Sequence, residues 1–111
     1  MRYYMIDDLT AENVQTMAAS LKNMNLVSVL DSFFWLPVPH GHLSRLQMEH
    51  EKSCGPHVMG LELLPDSLRL ELLVRARGAL RCECVRYAES GLRSYMMTWL
   101  DQCLSDCQIV T

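Results

Sequence analysis

Apolar residues at Val14, Met17, Ala18, Leu21 and Met24 recur at helical spacing and form one stripe. Thr10, just ahead of them, offers a hydroxyl to the exposed amides of a first turn, and Glu12 suits its positive end. The pattern predicts an amphipathic helix from about residue 11 to 24. Leu26 to Leu30 is too short a run for periodicity to separate strand from helix. Phe33-Phe34-Trp35-Leu36-Pro37-Val38-Pro39 is aromatic and β-favouring, but Pro37 and Pro39 remove two amide donors from one side of a strand. That strand is expected at the sheet edge, or ending there.

A short helix from about residue 45 to 54 carries complete punctuation: Ser44 and Gln47 have capping-box spacing, and Leu43 and Met48 the spacing of a hydrophobic staple. At its far end Gly55 suits a left-handed cap, and Pro56 cannot continue the helix. From there the period becomes two. Met59, Leu61 and Leu63 share one face of a first strand, and Leu68, Leu70, Leu72, Val74 and Ala76 one face of a second. The turn Leu64-Pro65-Asp66-Ser67 joins these faces with the right parity, and the same register sets Glu62 opposite Arg69. Leu80, Cys82 and Cys84 then read as the inner face of a third strand after a glycine-containing loop at Gly78, giving a meander from about 57 to 87. A rival helix from Ser67 to Arg77 would leave apolar residues on nearly every side. The last stripe, Leu92, Met96, Trp99, Leu100, Cys103 and Cys107, predicts a helix from about 91 to 107 with Ser90 as its cap.

Together these elements predict a two-layer α+β domain. It has a mostly antiparallel sheet of about four strands, an edge strand plus a three-stranded meander, with the N- and C-terminal helices packed on one face. At 111 residues, half of them hydrophobic, the chain is expected to form a single domain over 1–111. The formal charge of -3 argues against a nucleic-acid binder. No uncharged stretch approaches the roughly 20 apolar residues of a membrane span, and the N-terminus lacks the apolar core of a secretory signal. The five cysteines are an odd number without a disulfide framework and read as free thiols, so a cytoplasmic setting is expected.

Candidate chemistry concentrates between residues 40 and 57. His40-x-His42 is followed by His50-x3-Cys54-x2-His57, and His50 and Cys54 stand one helical turn apart. Imidazole and thiolate are ligands that Zn²⁺ prefers, so His50, Cys54 and His57 form a candidate metal set, set against the plainer reading of a hydrogen-bonded, partly buried His50. Cys54 as a nucleophile would need activation by His50 or His57, but it sits where the negative end of a helix dipole opposes a thiolate. A second thiol set, Cys82 and Cys84 on the sheet with Cys103 and Cys107 on the covering helix, would converge in the core as a zinc site or as small hydrophobes. The outer sheet face would carry Arg69, Arg75 and Arg81 beside Leu73, Val85 and Tyr87. No glycine-rich phosphate loop, nucleophile elbow or paired carboxylates stand out. The leading expectation is a non-enzymatic binding or assembly module, homodimeric through the outer face or the Phe33–Trp35 strand; the alternative is a metal-binding or metal-sensing domain.

Overall fold

The alternation from Leu68 to Ala76 does fold as extended chain in the computed structural model, which describes residues 1–111: Leu68, Leu70, Leu72, Val74 and Ala76 are all buried. They meet the odd-numbered face of β4 (His57–Leu64) from β5 (Ser67–Glu71) and β6 (Leu73–Ala76). Pro65 and Asp66 turn the chain between β4 and β5, and the register sets Leu63 opposite Leu68, Leu61 opposite Leu70 and Glu62 opposite Arg69, as parity demands. On the outer side that last pair forms a salt bridge between Arg69 and Glu62.

One feature of this strand pair is not visible as periodicity. Leu72 turns its backbone away from β4: its N–H donates to the Arg2 carbonyl and its carbonyl accepts from the Ala88 N–H. The ladder resumes in β6 with Val58 opposite Arg75 and His57 opposite Ala76, so β5 and β6 hold two residues more than the matching stretch of β4. A two-residue bulge keeps the parity, so the even-numbered side chains stay inside while the strand is split.

On the other side of β4 lies β3 (Phe33–Pro37), whose Phe34 and Leu36 stand opposite Leu61 and Met59 on the buried face. The strand ends at Pro37, where the missing amides begin, but it is not the edge: β2 (Val27–Val29) pairs outside it. At the opposite border β1 (Tyr3–Ile6) pairs with β5, and β7 (Arg86–Tyr87) pairs with β6. The result is a seven-stranded antiparallel sheet instead of about four strands. The difference comes from β1, from β2 and from the Leu72 bulge, which splits one expected strand into β5 and β6, while the expected third strand shrinks to β7.

Residues 77–85 are not a strand. The segment loops out, and Leu80, expected inside, is 96% exposed. Four charged or glycine residues from Arg77 to Glu83, namely Arg77, Gly78, Arg81 and Glu83, favour water over a sheet interior.

The two terminal helices cover one face. In α1 (Ala11–Asn23) the Thr10 hydroxyl accepts from the Asn13 amide at 3.0 Å, and Met17 and Leu21 are fully buried. In α3 (Ser90–Asp106) Leu92, Met96, Leu100, Cys103 and Leu104 join the same core as Phe34, Leu61 and Leu70. Its N-cap position is Glu89, without a side-chain bond, so Ser90 is the first helical residue and not the cap. The Tyr4 hydroxyl donates to Asp101 at 2.7 Å, tying β1 to α3; this bond and burial push the phenol up to about 12. The chain is therefore α+β, with both terminal helices on one side of a mostly antiparallel sheet. No helix is long and apolar enough to cross a membrane.

The contrast between Leu70 and Leu80 gives a direct check of the bulged strand and the looped segment. Leu70→Ala, which empties a fully buried position, is expected to cost about 2–5 kcal/mol in urea unfolding, whereas Leu80→Ala should change stability by no more than about 0.5 kcal/mol. Equal losses at the two positions would place Leu80 in the core and contradict the fold.

Candidate metal centre

Ser44 begins α2 (Arg45–Cys54) with a full capping box: its hydroxyl accepts from the Gln47 N–H at 3.1 Å, and the Gln47 Oε1 accepts from the Ser44 N–H at 2.9 Å. The expected staple is absent, since Met48 points to solvent while Leu43 is buried. Nor is Gly55 a left-handed cap: its φ of -67° and ψ of 177° are extended, and the Gly55–Pro56 peptide is cis. Glycine is required there by contact, because a Cβ would strike the Glu51 carboxylate and carbonyl.

The end of α2 receives the 77–85 loop. Arg77 N–H donates to the Pro56 carbonyl at 3.0 Å and Gly78 N–H to the Cys54 carbonyl at 2.7 Å. A Cβ on Gly78 would lie 2.7 Å from that same carbonyl oxygen, so only glycine allows the approach. Further on, the Val85 N–H donates to the Cys82 carbonyl at 3.0 Å, closing a turn over Cys82 and Cys84. The buried Gln47 holds this turn: its Nε2 donates to the Cys84 carbonyl at 3.1 Å, while its Oε1 caps the helix. One amide thus fixes both halves of the site.

What this docking assembles is a set of four donors, His50, Cys54, Cys82 and Cys84, whose Nδ1 and Sγ atoms all lie within 4.8 Å of one another. His50 and Cys54 share one face of the helix at i, i+4, and Cys82-x-Cys84 is a pair on the loop. The Cys54 and Cys82 sulfurs are 3.7 Å apart, and the His50 Nδ1 stands 3.2 Å from the Cys82 sulfur and 3.7 Å from that of Cys54. A tetrahedral zinc with bonds of about 2.3 Å to sulfur and about 2.0 Å to nitrogen has edges of about 3.8 Å between sulfurs and about 3.5 Å between sulfur and nitrogen. The three separations among His50, Cys54 and Cys82 fall within a few tenths of an ångström of those edges, and Cys84 lies within 4.8 Å of each. Cys84 is wholly buried and Cys54 is 8% exposed, whereas His50 and Cys82 are half-buried at the mouth.

The thiols do not share one protonation behaviour. Cys82 is lowered to about 7, first by the Cys84 backbone N–H and then by the neighbouring thiols and His50. Cys84 is pushed up to about 12 by burial and by those same sulfurs. Cys82 therefore carries a negative charge more readily than Cys84, because crowded sulfurs do not ionise together without a cation among them.

No protein-family model matches this chain, and no curated protein or solved structure is significantly similar to it. The geometry of the site itself therefore carries the reading.

Of the three residues singled out from the sequence, His50 and Cys54 come together and His57 does not. The strand direction of β4 turns His57 toward the core side, where its Nδ1 meets the Glu51 Oε2 at 2.9 Å and its Nε2, fully buried, has no partner. His40 and His42 lie in a 3₁₀ turn, with the His42 ring packed against Tyr95. The second expected set also separates: Cys84 belongs to a small cluster with Cys54 and Ala76, while Cys103 is in the main core, where burial raises its thiol to about 11. Sequence reasoning placed Cys82 and Cys84 on a strand facing α3. The missed signal was that His-x3-Cys on a helix and Cys-x-Cys beside a glycine each supply two donors, and two such pairs complete a tetrahedron.

Proposed function

We propose that this protein binds one Zn²⁺ through His50 Nδ1 and the Cys54, Cys82 and Cys84 thiolates, as a structural centre that staples the 77–85 loop to the end of α2. The single observation that carries the reading is the convergence of these four donors from two separate elements within 4.8 Å, with His50, Cys54 and Cys82 at the spacing of tetrahedral edges. Three thiolates and an imidazole suit Zn²⁺ over Mg²⁺ or Ca²⁺, which take oxygen ligands. A filled set of four protein ligands leaves no open position for substrate, which is the arrangement of structural and not catalytic zinc. Binding through Nδ1 puts the imidazole proton on Nε2. Beyond its hydrogen bonds to α2 the loop has few apolar contacts, those of the small cluster around Cys54, Ala76 and Cys84, so metal binding adds to folding stability there.

The homodimeric assembly expected from the sequence remains a second reading, favoured by one observation. The helices cover only one side of the sheet. The other side presents half-buried Phe33 and Trp35, with Met5, Val27 and Val29 exposed at its borders. The Arg69–Glu62 and Arg75–Glu71 ion pairs give that face a polar centre compatible with an isologous contact.

Elemental analysis of untagged protein tests the metal. About one equivalent of zinc is expected in the wild type and in His57→Gln, and a loss to below about a tenth of an equivalent in His50→Gln and Cys82→Ser, each measured on soluble folded protein. Zinc absent from the wild type, or lost in His57→Gln but kept in His50→Gln, would overturn the assignment. For the assembly, light scattering at high concentration should give twice the mass of the chain; a strict monomer contradicts it.

A further inference from the structure

We propose that Cys54 and Cys82 are a peroxide-oxidised pair, forming a disulfide that dismantles the four-donor site and takes over as the tie between the 77–85 loop and α2. The inference rests on the zinc reading for its consequence but not for the pair itself. Of the three cysteines of the site, Cys82 is the most exposed, Cys54 is 8% exposed and Cys84 is wholly buried. The Cys54 and Cys82 sulfurs are 3.7 Å apart, so bond formation needs a closing movement of about 1.7 Å to reach a normal S–S length. The loop side of the pair is free to make it, since most residues from Arg77 to Glu83 are exposed. Cys84 is the poorer partner on two counts. Its carbonyl is pinned by Gln47, and a bridge to Cys82 would close a ring across a single residue, far from relaxed disulfide geometry.

The chemistry balances with hydrogen peroxide as the oxidant. The Cys82 thiolate attacks one peroxide oxygen; the S–O bond forms, the O–O bond breaks, and the departing hydroxide takes a proton to become water. The Cys54 thiolate then attacks the Cys82 sulfenic sulfur, the S–S bond forms, and a second hydroxide leaves and is protonated. Two thiolates have given two electrons to one peroxide, yielding one disulfide and two waters. Cys84 and His50, left as two donors, no longer complete a tetrahedron, and zinc is released. The thiol of Cys103, buried in the main core, and that of Cys107, packed against the same core, are not part of the exchange.

The test uses the full chain after its zinc content has been measured. One equivalent of hydrogen peroxide is added, zinc release is followed with a chromophoric chelator, and the remaining thiols are alkylated and mapped by mass spectrometry. The expected result is release of about one zinc per chain, a loss of about two mass units, and a Cys54–Cys82 crosslink that a thiol reductant with added zinc reverses. Zinc retained while Cys107 oxidises, a Cys82–Cys84 bridge, or Cys82 driven to sulfinic acid without a crosslink would each overturn the proposal. A parallel sample stripped of metal should form the same crosslink. If the starting protein holds no zinc but this crosslink appears, the zinc reading fails and the thiol pair stands; if zinc is present and no crosslink forms, the reverse holds.

Discussion

Burial of every second side chain from Leu68 to Ala76 is the constraint from which the remaining architecture follows. A slip of one residue along that stretch would turn Leu68, Leu70 and Leu72 outward and Arg69, Glu71 and Arg75 into the core. The bulge at Leu72 respects the constraint by adding two residues, not one, to the strand opposite β4. Its backbone then serves Arg2 and Ala88, which sets β1 and β7 along the same border of the sheet. Once this layer is in place, Met17 and Leu21 of α1 and Leu92, Met96 and Leu100 of α3 have a continuous apolar surface to cover.

The candidate metal centre is a consequence of the same geometry at the end of the sheet. β6 runs beside the first residues of β4, and those residues follow α2 directly through Gly55 and Pro56. The chain leaving β6 must therefore pass the C-terminal turn of α2, and Gly78 permits it to pass at contact distance from the Cys54 carbonyl. Gln47 completes the join by capping the helix with one end of its amide and holding Cys84 with the other. The four donors are brought together by backbone contacts that do not themselves require the metal, so the site is preorganised and the cost of ordering the loop at binding is reduced.

Where a local rule decided the outcome, the sequence was readable. Thr10 and the Ser44–Gln47 box marked two helix starts, the Pro65-Asp66 turn fixed a hairpin register down to the Glu62–Arg69 pair, and the apolar stripes of α1 and α3 located the covering layer. What escaped was set by long-range contact. Leu80, Cys82 and Cys84 alternate as a strand would, but no neighbouring strand is available to that segment, and its charges keep it in water. The site was half legible for the same reason: His50 and Cys54 share a helical turn and could be paired by spacing, whereas their union with residues some 28 positions away depends on the Gly78 contact. His57 has the right chemistry and the right proximity in sequence, but strand direction sends it to Glu51.

The donor set around a bound metal decides whether the four side chains form a zinc centre. Zinc K-edge X-ray absorption of the purified chain reads that set directly. Three sulfur scatterers at about 2.3 Å and one nitrogen at about 2.0–2.1 Å are predicted. A first shell dominated by nitrogen and oxygen, or one of four sulfurs, would contradict it.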